Sequence, residues 1–198
     1  MSSQIKITAF TGGGFKPYIP SIAKLRVDVF REFPFLIVSD VESEVRYLKR
    51  LALSKDSMAV VVFDGSKIVG ATLGFPLEEE SKDAKRPFID LGLSPSAYFF
   101  FGESVLLKPY RGRGMGHHFF DLRENHARHL KRFSHACFSN VIRPKDHPLR
   151  SDQYLSLENF WQKRGFVQQS NLIYTQEWQD VGSDEPTRKS IVFWTKHL

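Results

Sequence analysis

What this chain of 198 residues has little of narrows its class first. It has one cysteine, Cys137, so no disulfide can form within it and a reducing compartment fits. No apolar run nears the ~18 residues that a bilayer-spanning helix needs. The opening "MSSQIKITAF" has no basic region followed by an apolar stretch, which argues against a secretory leader and for a soluble, cytoplasmic protein without membrane partners. Internal repeats and low-complexity tracts are missing as well. One domain over residues 1–198 is expected, large enough to bury roughly two-thirds of the surface of its unfolded chain.

Charge is not balanced: 28 Lys and Arg face 22 Asp and Glu, a formal net charge of +6. That excess favours an anionic partner, whether nucleic acid, an anionic membrane or a small polyanion such as a nucleotide cofactor. The basic residues are scattered rather than gathered in a tail or one helix, which weakens the nucleic-acid reading. Two common nucleotide loops are absent too. The P-loop spacing occurs nowhere, and "TGGGFK" near the N-terminus fails it. The dinucleotide fingerprint needs Gly-x-Gly-x-x-Gly, whereas the chain has Gly112-x-Gly114-x-Gly116 with no acidic residue capping a second strand about 20 residues on.

The pattern that is present alternates strands and helices. "QIKITAF" reads as a first strand. From Ser21, a plausible N-cap, Ile22, Leu25, Val29 and Phe33 have helical spacing, with Pro34 as a stop. "DVESEVRYLKRLALS" predicts a second helix, and "SMAVVVFDGSKIVGATLGFPL" a hairpin turning at Asp64-Gly65. The polar, Pro-broken "EEESKDAKRPFIDLGLSPS" reads as a surface excursion with a short helix. "AYFFFGESVLL" is apolar enough for a central strand covered on both faces. A helix of four or five turns is expected from about Gly112, with Met115, Phe119, Leu122, His126, Leu130 and Phe133 on its stripe. "SHACFSNVI", "FVQQSNLIYTQEW" and "KSIVFWTKHL" complete the strands, and "LSLENFWQKRG" gives a short helix before the last two. The order implies an α/β class, a mixed central sheet with helices on both faces.

The densest signal is "SVLLKPYRGRGMGHHFF", Ser104 to Phe120. Where a helix begins just after a strand, its first N–H groups lack partners in the chain, and the helix dipole adds partial positive charge. Glycines at 112, 114 and 116 let backbone approach a phosphate with no Cβ in the way, while Arg111 and Arg113 offer paired donors to its oxygens. The segment reads as a diphosphate cradle.

"ESVLLKPYRGRGMG" resembles the acetyl-coenzyme A motif of the GNAT superfamily of N-acetyltransferases, a strand, a proline bend, and Arg/Gln-x-x-Gly-x-Gly/Ala opening a helix. "FWQKRGF", Phe160 to Phe166, resembles a second, weaker family element, and the likeness extends over nearly the whole chain. It implies the acyl-CoA N-acyltransferase fold with its splayed central sheet, and acetyl-CoA as cosubstrate. Residues Arg111, Gly112, Arg113, Gly114, Met115 and Gly116 would hold the diphosphate. Val105, Leu106 and Leu107 would pair, strand-like, with the pantetheine arm in a slot where the central strand leaves "ACFSNVI". The acceptor would be a primary amine of a small molecule or peptide, and the resemblance is compatible with a homodimer.

Direct acetyl transfer needs a neutral amine, a polarised carbonyl and a proton for the departing thiolate. Glu103 resembles the acidic residue that many family members place on this strand, and Phe99, Phe100, Phe101 and Val105 are expected to desolvate it. It reads as general base or as a carboxylate that binds a cationic acceptor. The Leu106 N–H would be the oxyanion donor at a strand bulge. Many relatives supply the proton from a Tyr where this chain has Trp161, whose indole does not titrate near neutrality; Tyr154, His147 or solvent would replace it. That departure keeps open a non-catalytic coenzyme A binder on the same fold. Cys137 lies two residues from His135, which allows a Cys–His nucleophile pair, although a buried small hydrophobe is the commoner use of a free cysteine. Of the histidines, His126 and His129 lie three apart on one helix, but no carboxylate or thiol completes a metal set.

Overall fold

The structure, a computed structural model, describes residues 5–198. Its centre is a seven-stranded mixed sheet of β1 (Ile5–Thr11), β2 (Met58–Asp64), β3 (Lys67–Pro76), β4 (Tyr98–Leu106), β5 (His135–Val141), β6 (Val167–Gln179) and β7 (Pro186–His197), in the spatial order β1-β2-β3-β4-β5-β7-β6. Neighbours are antiparallel except β4 and β5, whose crossover runs through α4 (Met115–His129). On one face lie α1 (Ile19–Phe30), α2 (Val41–Leu51) and α3 (Lys82–Asp90), which bury Ile22, Leu25, Leu48, Leu51 and Phe88 with Ala71, Leu73, Phe100 and Val105 of the sheet. On the other, Phe119, Phe120 and Ala127 of α4 cover Val60, Val62, Phe99, Phe101 and Phe138, and Phe160 and Trp161 of α5 (Glu158–Lys163) pack at the margin. The expected mixed sheet with helices on both faces is therefore what the chain forms.

Local chemistry explains most boundaries. Asp40 caps α2, its carboxylate accepting from the Ser43 N–H at 2.8 Å, and Ser81 caps α3 through the Ala84 N–H. The β2–β3 hairpin turns at Gly65 and Ser66, with Gly65 at φ 60°. Three expectations shift. The first helix starts at Ile19, ahead of Ser21, because Pro20 in its first turn has the φ a helix needs; it ends at Phe30 rather than running to Phe33. The fourth helix starts at Met115, not Gly112, because Gly112 and Gly114 lie at φ 73° and 81°, outside any right-handed helix. It stops at His129, so Phe133 reaches the core from the following loop. The excursion between β3 and β4 is more anchored than its polarity suggests: Phe88 is buried, its ring 4.8 Å from those of Tyr98 and Phe193.

Candidate functional site

Strand β4 changes character halfway along. Its pairing with β5 extends only over Tyr98↔His135, Phe99↔Ala136 and Phe100↔Cys137, after which the two strands part. Against β3 the register advances two residues from Thr72 to Gly74 while β4 advances three, from Phe101 to Ser104, so β4 carries an extra residue at Gly102–Glu103. The expected bulge at Leu106 thus lies three residues earlier, and Leu106 pairs regularly with Gly70. The Leu106 N–H still faces the slot. The Leu107 N–H donates to the Val69 carbonyl at 3.0 Å, and the antiparallel alternation then leaves 70/106 as a pair that exchanges no hydrogen bonds and turns the Leu106 amide toward β5. Val105 is fully buried on the α1 face and meets the slot only through its backbone; Leu107 is half-buried.

The glycine loop follows directly. Among the described residues, no carbonyl or side chain accepts from the N–H groups of Gly112, Arg113, Gly114, Met115 or Gly116; the next amide, His117, donates to the Gly114 carbonyl at 3.0 Å. A Cβ at Gly112 or Gly114 would meet nothing within 4 Å, so open space lies over both, and the positive φ values are what require glycine there. Gly116 has ordinary φ and faces Phe160 of α5. The two arginines differ. Arg111 is spoken for by the chain: it grips Glu32 with both terminal nitrogens, at 2.7 and 3.1 Å, and donates to the Leu106 carbonyl at 2.8 Å. Arg113 makes no ion pair among the described residues and lies over the Tyr110 ring. Tyr110 in turn donates its hydroxyl to Asp64, an interaction that raises the phenol pKa.

Glu103 does not sit in the apolar pocket that its aromatic neighbours suggest. The bulge directs its side chain to the α1 face, where it forms an ion pair with Arg26; Arg26 also binds Glu44 at 2.6 Å and lies over the rings of Phe30 and Tyr47. All three charged side chains are about nine-tenths buried. Two carboxyl groups thus share one guanidinium beneath the slot.

The candidates for proton donor share one aromatic neighbour. Tyr154 packs edge-on against Phe33 at 4.7 Å, and His147 meets the same ring at 5.6 Å. Phe33 adjoins Glu32, the partner of Arg111, so the 142–157 loop, the α1–α2 loop and the glycine loop meet at one end of the molecule. Burial raises the Tyr154 pKa, Arg150 opposing, so the phenol keeps its proton at neutrality. Trp161 serves packing: its ring lies 4.9 Å from Phe138 and 5.2 Å from Trp194. Cys137 is fully buried, burial raises its thiol pKa strongly, and His135 stacks on Tyr98, so the two do not form a nucleophile pair. His126 is held at the Asp56 carbonyl. Of the three loops 11–18, 78–96 and 143–154, the first forms a 3-10 turn anchored by buried Phe15 and the second carries α3. Arg143 braces the third: it holds Asp180 bidentately and donates to the carbonyls of Pro34 and Phe35, tying the exit of β5 to the α1–α2 loop.

Sequence reasoning missed Arg26, Glu44 and Arg123, yet each left a signal. Arg26 falls on the stripe of Ile22 and Phe30, Glu44 on that of Leu48, and Arg123 four residues from both Phe119 and Ala127. A charge at a core-facing helical position has to find a polar partner when buried. Glu32 and Thr72 left no such mark.

No family model matches this sequence, and no curated protein matches it either. Solved structures do. The ribosomal-protein-alanine N-acetyltransferase of Brucella melitensis is 13% identical, with 98% of this chain and 99% of that one covered at a TM-score of 0.62. The yncA protein of Salmonella typhimurium, solved with its cofactor acetyl-CoA, is 11% identical over 97% and 94% at 0.61. An acetyltransferase of the GNAT family from Streptococcus pneumoniae is 15% identical over 98% and 99% at 0.57. The chain therefore has the fold of GNAT acetyltransferases over nearly its whole length.

Proposed function

We propose that this protein is an N-acetyltransferase that uses acetyl-CoA and passes the acetyl group directly to a primary amine. The observation that carries the reading is the run of unpartnered N–H groups from Gly112 to Gly116 at the head of α4, with open space over Gly112 and Gly114, following the strand that parts from β5. Such a nest of amides at a helix N-terminus suits a diphosphate, and Arg113 is available to add charge. The unpaired edges of β4 and β5 suit an amide-bearing arm laid between them as a strand would be, with Val105, Leu106 and Leu107 contributing backbone. Arg111 would shape the loop from its place on Glu32, and Met115 would close the cradle from the first turn of α4. When bound, acetyl-CoA would supply the activated acetyl group.

The residues of the chain then divide the work. The Leu106 N–H is turned toward the slot and would stabilise negative charge on the thioester oxygen. Glu103, held by Arg26, would take the proton of the attacking amine, directly or through water. Tyr154, protonated at neutrality, would supply the proton of the thiolate. A thiol-release screen against a panel of primary amines tests this reading: acceleration by at least one amine is expected. Coenzyme A binding with no acceleration by any amine would leave the second reading, a coenzyme A binder without transferase activity, which the packing of Trp161 at the family's usual Tyr position favours.

A further inference from the structure

Arg123 is the largest of the fully buried side chains, and among the described residues no carboxylate pairs with it. Burial lowers its pKa to about 9, so it remains a cation at neutrality. An unpaired buried cation is costly unless other groups replace water around it. Here the Nε donates to the Phe119 carbonyl of its own helix at 3.1 Å, and the faces of Phe101 and Phe120 cover the guanidinium at 4.4 and 4.9 Å. The two terminal nitrogens reach into the sheet, Nη1 toward the Leu73 carbonyl at 3.4 Å and Nη2 to Ser104 Oγ at 3.1 Å.

Both targets flank the bulge. An extra residue in β4 shifts the register between Thr72 and Gly74. Arg123 reaches the carbonyl of Leu73. Thr72 Oγ1 donates to that of Glu103 at 2.5 Å, which uses its one hydroxyl hydrogen. In the 2.9 Å contact between Thr72 and Ser104 the hydrogen must then come from Ser104. The donors all point one way, from Arg123 to Ser104 to Thr72 to the Glu103 carbonyl, and the cation at the head polarises each link.

We infer that Arg123, Ser104 and Thr72 form a clamp that fixes the Gly102–Glu103 bulge from the α4 face, setting the direction of the Glu103 carboxylate and of the Leu106 amide. They are positioning residues: Arg26 holds the Glu103 side chain from one face of the sheet while the clamp holds its backbone from the other. The catalytic consequence rests on the transferase reading above; the structural one does not.

Three variants test it: Thr72→Val, which keeps the shape and removes the hydroxyl, Arg123→Met and Arg123→Lys. In two-dimensional amide spectra Thr72→Val and Arg123→Met should shift Gly102 to Leu106 while leaving Gly112 to Gly116 in place. Coenzyme A affinity should stay within about threefold, whereas turnover per folded molecule should fall ~10- to 100-fold, because misplacement by an ångström costs about that much. Arg123→Lys should recover part of the loss. A Thr72→Val protein with unmoved Gly102–Leu106 amides overturns the clamp. One whose amides move while turnover on a responsive amine is unchanged overturns its catalytic consequence. If Arg123→Met fails to fold, Thr72→Val decides alone. Should the native protein acetylate no amine, the spectra still decide the clamp, and the transferase reading is what fails.

Discussion

The two halves of β4 are built for different ends. From Tyr98 to Phe101 every residue is buried, the strand is bonded to β3, and its first three residues also pair with β5. From Gly102 to Leu106 it pairs with β3 alone, carries a bulge, and exchanges phenylalanine for glycine, glutamate and serine. The first half is core, where burial of each ring is favourable by a few kcal/mol. The second leaves hydrogen-bonding edges unused and holds charges below the surface, which are stabilising only if a ligand or an internal partner satisfies them. One strand can do both because Phe99 and Phe101, with Phe100 on the opposite face, anchor it firmly enough to hold the remainder in a less favourable arrangement.

Four experiments would break or sharpen that contrast. The largest effect should come from Phe99→Ala, a cut into the core of the first half: a loss of about 3–5 kcal/mol in urea denaturation, with coenzyme A affinity of the folded protein kept. If affinity falls in step with stability, the halves are not separable. Glu103→Gln attacks the second half. Turnover on a responsive amine should drop ~10²- to 10³-fold while cofactor affinity holds, and unchanged turnover would remove Glu103 from the role of base. Gly114→Trp should abolish saturable coenzyme A binding in calorimetry, a fall of at least about 100-fold, since it fills the open space over the loop and forces a side chain to φ 81°. Undiminished affinity would refute the cradle.

The smallest effect concerns the ion networks that brace the surroundings. Burial would raise the carboxyl pKa values of Asp180 and Glu124, but hydrogen bonds from Arg143 and Lys189 to the first, and from Lys196 and Arg164 to the second, outweigh it and lower both. A carboxylate with a depressed folded pKa stabilises the native state above its unfolded value and loses that contribution as pH falls through the folded one. Denaturation midpoints should therefore be level from about pH 7 to 5 and decline below about pH 4. A midpoint that held steady down to pH 3 would show that these networks contribute nothing.

The elements themselves were legible because their signals are local. Alternation marked β1, two β-rich runs about a turn dipeptide marked the β2–β3 hairpin, and the 3–4 spacing marked α1, α2 and α4. The glycine loop was legible as well, since left-handed backbone at Gly112 and Gly114 leaves a mark on residue choice. Less visible was what depends on contact across the sheet. Nothing adjacent to Glu103 in the chain announces Arg26, which arrives from a helix far upstream, and the aromatic residues that flank it in sequence point elsewhere because a bulge changes which face each residue presents. Arg111 likewise looks like a free phosphate ligand until Glu32 is brought beside it.

By itself, then, the sequence determined the order of strands and helices and the place where backbone amides are left open, because periodicity and backbone conformation are properties of neighbouring residues. Only the tertiary structure decided which charges are spent on one another and where β4 slips by one residue. Ion pairs and strand register are settled between segments that meet only when the sheet is assembled.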